Sequence, residues 1–372
     1  MRVGIMGRSL RGQESGVGRY ARNLVAALSR KLSPEDLVVF LPHDHNLREH
    51  PSLTFCRAPF PTRNEYSRAF WEQALVPFEA KRRKISVYHS PNFILPLALT
   101  GSSVVNIHDV IFLTSPGVYR RRSRLYLSFF TAWAVGRADR LLTISNSTAS
   151  ELIRLFPRAA AKTRVIYPGL DPIFRQPAGP RLEQFRHRLS LHCPFILYVG
   201  TLEPRKNLAR LIAAFGEMVK HEDFPHDLVL CGPSGWKTQS FFRALAASPV
   251  KERIRLIGYV DHHELPLWYA AADLFVYPSL AEGFGLPPLE AMACGTPVVT
   301  TSVPAISEAV GDAAVSVSPH DVMALAEAMT RIIQDRNLAA DLRRKGFERI
   351  RLFDREVLTE KILILYGELA EA

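Results

Sequence analysis

Ala281-Glu-Gly-Phe-Gly-Leu-Pro-Pro-Leu-Glu-Ala-Met-Ala-Cys-Gly-Thr-Pro-Val-Val299 reads as a loop feeding a helix, and the apolar run Asp273-Leu-Phe-Val-Tyr277 ahead of it reads as a short buried strand stopped by Pro278 and Ser279. Gly283 and Gly285 leave backbone amides open to a ligand. From Pro287 or Pro288, residues suited to a first helical turn, Leu289, Met292 and Ala293 recur at helical spacing. Glu282 therefore falls in the loop and Glu290 early on the helix. A helix N-terminus with free amides attracts an anion, and two carboxylates beside it can accept hydrogen bonds from vicinal sugar hydroxyls. The combination suits a ligand both sugar-like and phosphorylated, although an ordinary strand-loop-helix of an α/β protein also carries solvated glutamates.

Glu282 and Glu290 are separated by seven residues, with Gly283-Phe-Gly285 and Pro287 between them and Gly295-Thr-Pro-Val after them. The stretch resembles the retaining nucleotide-sugar glycosyltransferases of family 4, which have the GT-B fold. The resemblance implies an α/β protein of two doubly wound, Rossmann-like parallel-sheet domains facing across a cleft. It further implies that Glu282 holds the donor sugar, that Glu290 holds the ribose hydroxyls, and that the backbone of Gly283, Phe284 and Gly285 lies along the donor.

The rest of the second half repeats strand, loop and helix. Phe195-Ile-Leu-Tyr-Val199 leads into Gly200-Thr-Leu-Glu-Pro-Arg-Lys-Asn207 and a helix carrying Leu208, Leu211, Ile212 and Phe215. Arg205 and Lys206 stand between a strand and a helix start, where cations and free amides suit a diphosphate. Gly200 and the Arg-Lys pair also match the family motif in register; a solvated charged turn is the plainer alternative. Asp227 to Cys231 with Gly232, and Ile254 to Ile257 with Gly258, give further strand-loops. By resemblance, the backbone at Tyr259 and Val260 holds the nucleobase. Strands alternating with helices predict a parallel sheet covered on both faces.

In the first half, Arg2-Val-Gly-Ile-Met6 reads as a strand and residues 7–18 as a loop before a helix with Val17, Tyr20, Ala21, Leu24, Val25 and Leu28 on one face. Gly16-Val-Gly18-Arg-Tyr-Ala21 matches a dinucleotide fingerprint, but a nine-residue excursion separates it from the strand where a tight turn is required. The resemblance instead places Gly16 and Gly18 over the donor phosphates. Val38-Val-Phe-Leu41 is a second strand, and residues 63–84 give a helix with a stripe of Phe70, Trp71, Ala74, Leu75 and Phe78 before Lys81-Arg-Arg-Lys84. Such a cluster can lie on anionic lipid or simply end a core helix. Trp71-Glu-Gln73 together with Ile85-Ser-Val-Tyr-His-Ser-Pro-Asn-Phe-Ile-Leu-Pro96 is similar to bacterial family members that add mannose and related sugars to surface polysaccharides. Ser103-Val-Val-Asn-Ile107 is a buried strand delivering His108-Asp109 to its C-terminal end, where open α/β sheets place their chemistry. A lone histidine is often structural; this one matches the family's His-Asp pair, which lies close to the reacting sugar. Arg120-Arg-Arg-Ser-Arg124 precedes a core helix over residues 125–135. Arg140 to Ile144 and Arg164 to Tyr167 complete the strands, with Asn146-Ser-Thr148 capping the helix between them.

The expected division is an acceptor-binding domain over 1–173, a crossing over 174–188, a donor-binding domain over 189–354 and a last helix over 355–372 that by resemblance crosses back to the first domain. Its stripe reads Val357, Ile362, Leu365 and Leu369.

The 372 residues, 47% hydrophobic and 22% charged, allow two globular domains and contain no run of eighteen apolar residues that could span a bilayer. The N-terminus does not look like a signal peptide, so a cytoplasmic protein is expected, at most peripheral at the inner face of the membrane. Cys56, Cys193, Cys231 and Cys294 are scattered and read as reduced, mostly buried residues. The net charge of +11 is unevenly spread: 25 Lys+Arg against 11 Asp+Glu in residues 1–170, and 22 against 25 in 171–372. A basic first half points to an anionic partner or to solubility alone.

The expected activity is transfer of a sugar, first choice mannose from GDP-mannose, to a saccharide or lipid-linked acceptor with retention at the anomeric carbon. His108, Glu282, Arg205 and Lys206 are expected at the reaction centre. The absence of Asp-x-Asp means that no metal or other cofactor is expected, cations taking its place at the diphosphate. The alternatives are a UDP-sugar enzyme of the same fold, a non-catalytic glycan- or anion-binding protein, a nicotinamide dehydrogenase, and a nucleic-acid binder; no nucleic-acid partner is expected.

Overall fold

Thirteen strands, all paired in parallel, carry the described part of the chain. The computed structural model describes all residues except 12–14, 46, 48–52, 116, 118, 120, 190–192, 222, 223 and 372. Arg120 of the arginine run and three residues of the loop before Gly16 therefore lie outside the described residues.

The first sheet holds β1 (Val3–Met6), β2 (Leu37–Leu41), β3 (Thr54–Arg57), β4 (Val87–Ser90), β5 (Ser102–Ile107), β6 (Arg140–Thr143) and β7 (Thr163–Val165), in the order β3-β2-β1-β4-β5-β6-β7. The second holds β8 (Phe195–Val199), β9 (Asp227–Cys231), β10 (Ile254–Gly258), β11 (Leu274–Tyr277), β12 (Val298–Thr301) and β13 (Val315–Val317), in the order β10-β9-β8-β11-β12-β13. Each is a doubly wound sheet. The inner strands β1, β2, β4, β8, β9 and β11 are buried along their whole length. Burial on both faces explains their nearly unbroken apolar runs. Each order reverses direction once, between β1 and β4 and between β8 and β11, which are the places where a doubly wound sheet opens a crevice at its carboxyl edge. Sequence reading passes over β3, β12 and β13, short strands that blend into the loops around them.

The chain divides into two compact units, Met1–Gly169 with Asp354–Ala372, and Leu170–Phe353. The first passage thus comes at 169/170, earlier than the expected crossing over 174–188. Residues in that range form a helix, Gly179–Arg188, whose Phe185 is buried edge-on against Trp268 at 5.4 Å, and this packing makes it part of the second unit.

The C-terminal helix, Arg355–Glu371, belongs to the first unit. Its Tyr366 hydroxyl bonds His89 Nδ1, the Ser102 hydroxyl donates to the Leu369 carbonyl at 2.9 Å, and Lys31 pairs with Glu360 at 3.2 Å. The buried stripe is Leu358, Ile362, Leu365, Tyr366 and Leu369; Val357, expected on it, is 53% exposed because it sits one position off the 3.6-residue repeat.

The helix predicted over 63–84 runs Glu65–Arg82 but contains a π turn at Trp71–Leu75. The wider turn rotates the apolar face partway along the helix. Trp71, Val76 and Ala80 are buried, whereas Phe70 and Phe78 of the predicted stripe are 57% and 63% exposed. The cap of the helix Asn146–Leu155 is Ser145, one residue before the expected position, its hydroxyl accepting from the Thr148 amide at 3.0 Å. Cys56, Cys231 and Cys294 are buried, Cys193 is exposed, and all four are free thiols. Among the described residues no helix is long and apolar enough to cross a membrane.

Candidate functional site

The loops after β8 and β11 meet at the direction change of the second sheet. The Leu280 amide donates to the Arg205 carbonyl at 2.8 Å, and the Asn207 side chain donates to Pro278 O at 3.0 Å and Pro319 O at 2.8 Å. Asn207 takes a left-handed conformation (φ 61°) that turns the chain from the loop into the helix Leu208–His221.

These bonds bring Arg205, Lys206 and Glu282 into one ion network. The Lys206 ammonium donates to Glu282 Oε1 and to the Tyr277 hydroxyl, both at 2.6 Å, and lies 4.7 Å from the Tyr277 ring centroid. The Tyr277 hydroxyl donates to the same Oε1 at 2.9 Å. Arg205 donates to Glu282 Oε2, to the Ala281 carbonyl at 2.8 Å, and to Glu203 at 2.7 Å. Burial alone would raise the Glu282 carboxyl, but Arg205 and Lys206 more than offset it and bring the value down to about 2. Burial, reinforced by Arg205, lowers Lys206. The expected open cations are therefore each matched by a carboxylate. Glu282 orients both Arg205 and Lys206. Glu203, 6% exposed, completes the network and was not singled out in the sequence. Its signal was its place two residues before Arg205 in the loop.

Glu290 lies in the helix Leu286–Ala293, 3% exposed, and accepts from the Tyr269 hydroxyl at 2.8 Å. Gly285 (φ 124°) caps that helix, with no side-chain cap; Pro287 and Pro288 contribute no N–H to its first turn. Phe284 turns inward, edge-on to Phe353 at 5.4 Å, so only its backbone and that of Gly283 can serve a ligand. At the same carboxyl edge, the Gly200 amide donates to Cys231 O and the Gly232 amide to Gly258 O, at 2.9 and 2.7 Å. A Cβ on Gly232 would fall 2.0 Å from the Gly200 carbonyl oxygen, so the loops after β8 and β9 touch backbone to backbone. Tyr259, 43% exposed, and half-buried Val260 follow the edge strand β10 on this rim.

The first unit holds the other expected residues. His108, just past β5, is 6% exposed; its Nε2–H donates to the Pro91 carbonyl at 2.8 Å, and Tyr20 and Phe93 meet its ring edge-on at 5.0 and 5.9 Å. Burial lowers it to about 4, so the ring is neutral at pH 7 and its Nδ1 is the basic nitrogen. Gly16 and Gly18 lie in the first turn of the helix Gly16–Leu28, rather than in the loop before it. The Gly18 amide is taken by the Ser15 hydroxyl at 3.1 Å, and a Cβ there would stand 2.9 Å from the Ser9 carbonyl. Gly18 thus serves close packing. The strand and this glycine pair are separated by residues 7–15, so the dinucleotide fingerprint lacks its tight turn. Among the described residues no group of three His, Cys, Asp or Glu is placed to hold a metal ion.

Residues 15–174 match the profile of Glycosyltransferase Family 4, and residues 181–349 that of Glycosyl transferases group 1. The chain is 31% identical over 370 residues to the O-antigen chain mannosyltransferase B of Escherichia coli, covering 95% of this chain and 96% of that protein. Its fold is similar to that of sucrose-phosphate synthase from Thermosynechococcus elongatus (TM-score 0.80, 23% identity, 99% of this chain and 98% of that one). It is also similar to Anabaena HepE solved in complex with UDP and glucose (TM-score 0.79, 20% identity, 99% and 100%). With two doubly wound sheets, both halves matched by profile and a full-length mannosyltransferase relative, the chain belongs to the family 4, group 1 glycosyltransferases of GT-B fold.

Proposed function

We propose that the protein transfers mannose from GDP-mannose to a saccharide or lipid-linked acceptor in surface polysaccharide synthesis, with retention and without a metal. The observation that carries the donor half of this proposal is the Arg205–Lys206–Glu282 network at the direction change of the second sheet, with buried Glu290 on the helix that follows the Glu282 loop. Charge develops on the departing diphosphate, so cations already oriented by carboxylates stabilise it without reorganising. Glu290 accepts from the ribose hydroxyls, and the amides around Gly283 to Leu286 face the donor. The mannose assignment rests on the E. coli relative's name and on the resemblance at residues 71–73 and 85–96. No protein nucleophile is assigned. The bond from the anomeric carbon to the diphosphate breaks as the acceptor oxygen bonds on the same face, and the acceptor proton passes to the leaving phosphate oxygen. Neutral His108 acts as a hydrogen-bonding group through Nδ1, not as a proton donor.

A second reading, a UDP-sugar donor, is favoured by the similar fold of HepE, solved with UDP and glucose. A thermal-shift panel of GDP, UDP, ADP and their sugar conjugates with chelator present separates the two, because a ligand of the folded state raises the midpoint. GDP and GDP-mannose are expected to shift the wild type, and Glu290→Ala to lose most of that shift. A shift with UDP alone would replace the donor; no shift with any nucleotide would remove the donor assignment altogether.

A further inference from the structure

The first sheet has its own crevice where strand order reverses, and this one is lined by arginine. A cavity of about 1030 Å³ opens there. Arg8, Ser9 and Arg11 reach it from the segment after β1, Asn92 to Ile94 from the loop after β4, Arg68 from the helix start at Glu65, and Arg121, Arg122 and Tyr126 from the helix Arg121–Arg137. Among the described residues, five guanidinium groups share one lining with a single carboxylate, Glu65.

The cations differ in how they are held. Arg8 pairs with buried Glu72 and donates to the Tyr126 hydroxyl at 3.1 Å, which fixes its direction. Arg11 is loosely tied, to the Thr62 carbonyl at 3.4 Å and Asp44 at 3.9 Å. Arg68 is 8% exposed, yet no hydrogen bond to its guanidinium, or to that of Arg121 or Arg122, occurs among the described residues. On the same lining, buried Asn92 Nδ2 and Ser9 Oγ have no partner among the described residues, although Asn92 Oδ1 is satisfied by the Ile94 amide at 3.1 Å. Guanidinium groups gathered on one lining repel one another unless an acceptor-rich group enters the space between them. Arginine's planar fork matches phosphate oxygens in pairs of bonds. A space this large holds more than a phosphate, and Phe93, Ile94, Val17 and Leu127 give it apolar walls against which a sugar ring can lie.

We infer that this cavity binds the phosphate or diphosphate of a phosphorylated saccharide, with Arg68 and Arg122 as phosphate contacts and Glu72 as the positioning residue for Arg8. The inference rests on the transferase function proposed above, because it makes this group the anionic part of the acceptor. A phospholipid headgroup offers the same phosphate chemistry from a membrane surface, and the experiment separates the two.

The full chain, saturated with GDP and UDP to occupy the donor site, is titrated calorimetrically with mannose 1-phosphate, pyrophosphate and inorganic phosphate. Arg122→Gln, on an exposed residue, is compared with Arg68→Gln and with Arg164→Gln, a control outside the cavity. One site is expected to remain in the presence of nucleotide. Arg122→Gln should weaken it at least fivefold and Arg68→Gln at least tenfold, with Arg164→Gln unchanged, and mannose 1-phosphate should bind more tightly than inorganic phosphate. No binding in the presence of nucleotide, or binding insensitive to Arg122→Gln, overturns the site. Equal affinity for mannose 1-phosphate and inorganic phosphate overturns the saccharide part. Flotation on phosphatidylglycerol vesicles lost in Arg122→Gln, with pyrophosphate binding unaltered, overturns it in favour of a membrane surface. A nucleotide shift without this site rejects the inference and leaves the donor assignment standing; the site without a nucleotide shift does the reverse.

Discussion

Lys206 has almost no contact with water and shares its ammonium between the Tyr277 hydroxyl and Glu282. Removing one partner from a buried pair costs about 3 to 5 kcal/mol when the other charge is left uncompensated, and Arg205, which still pairs with Glu282, holds the loss at Lys206 to the lower end of that range. Lys206→Met is therefore expected to destabilise the second unit by about 3 kcal/mol, and its calorimetric transition should fall by roughly 6 to 12 °C. The double variant Lys206→Met/Glu282→Gln should lose less than the sum of the singles, since it removes both charges together; strict additivity would mean that the pair does not interact. The residue types at this site were legible in the sequence, but their pairing was not. Glu282 and Lys206 stand 76 positions apart, and only the meeting of two loops makes one the partner of the other. Glu203 escaped notice because a lone glutamate in a turn is ordinary until its neighbour's guanidinium is seen to fold back on it.

At the scale of elements, the carboxyl edge of the second sheet is held by contacts that admit no side chain. Gly232 has φ 147°, and its missing Cβ would overlap the Gly200 carbonyl oxygen. Gly232→Ala must push apart the loops after β8 and β9. We expect a loss on the order of 3 kcal/mol and weaker nucleotide binding, measured by denaturant unfolding and thermal shift; an alanine variant with wild-type stability would mean that the loops separate freely. Strands with continuous apolar runs, such as Phe195–Val199, were readable because burial on both faces leaves no other composition. The helix Glu65–Arg82 was read with the wrong face because the π turn inserts an extra backbone step inside a periodic stripe; its one sequence mark is Pro77, two residues past the turn, which has no N–H to donate back into the helix. Val298–Thr301 was lost to the pull of the glycine-rich stretch ahead of it.

Across the whole molecule, the two units answer acid differently. His89, with no exposure, places Nε2 2.5 Å from Asn106 Oδ1 and Nδ1 against Tyr366; burial lowers it to about 4, as it does His108. Below pH 6.5 the unfolded chain takes up protons that the folded first unit refuses, so stability present above that pH is lost as pH falls towards 4. At pH 5 the loss is on the order of 2 kcal/mol for each histidine. The second unit carries one histidine lowered mainly by burial, His226, and its larger acid response waits for Glu282, between pH 4.5 and about 2. Calorimetry at pH 7.5 and pH 5 should show the first unit's transition falling further than the second's; a larger fall in the second would contradict the neutral state of His89 and His108.

The helix that closes the chain also sets an order of events during synthesis. Residues 1–169 leave the ribosome first, but the groove over β4 and β5 that takes Tyr366 and Leu369 stays unfilled until about 200 further residues have followed. The second unit is one continuous segment and can close on itself as soon as Phe353 has emerged. The usual N-terminal-first sequence is thereby inverted: the half made first is finished last, and every new molecule spends the translation time of its second half with His89 Nδ1 waiting for Tyr366.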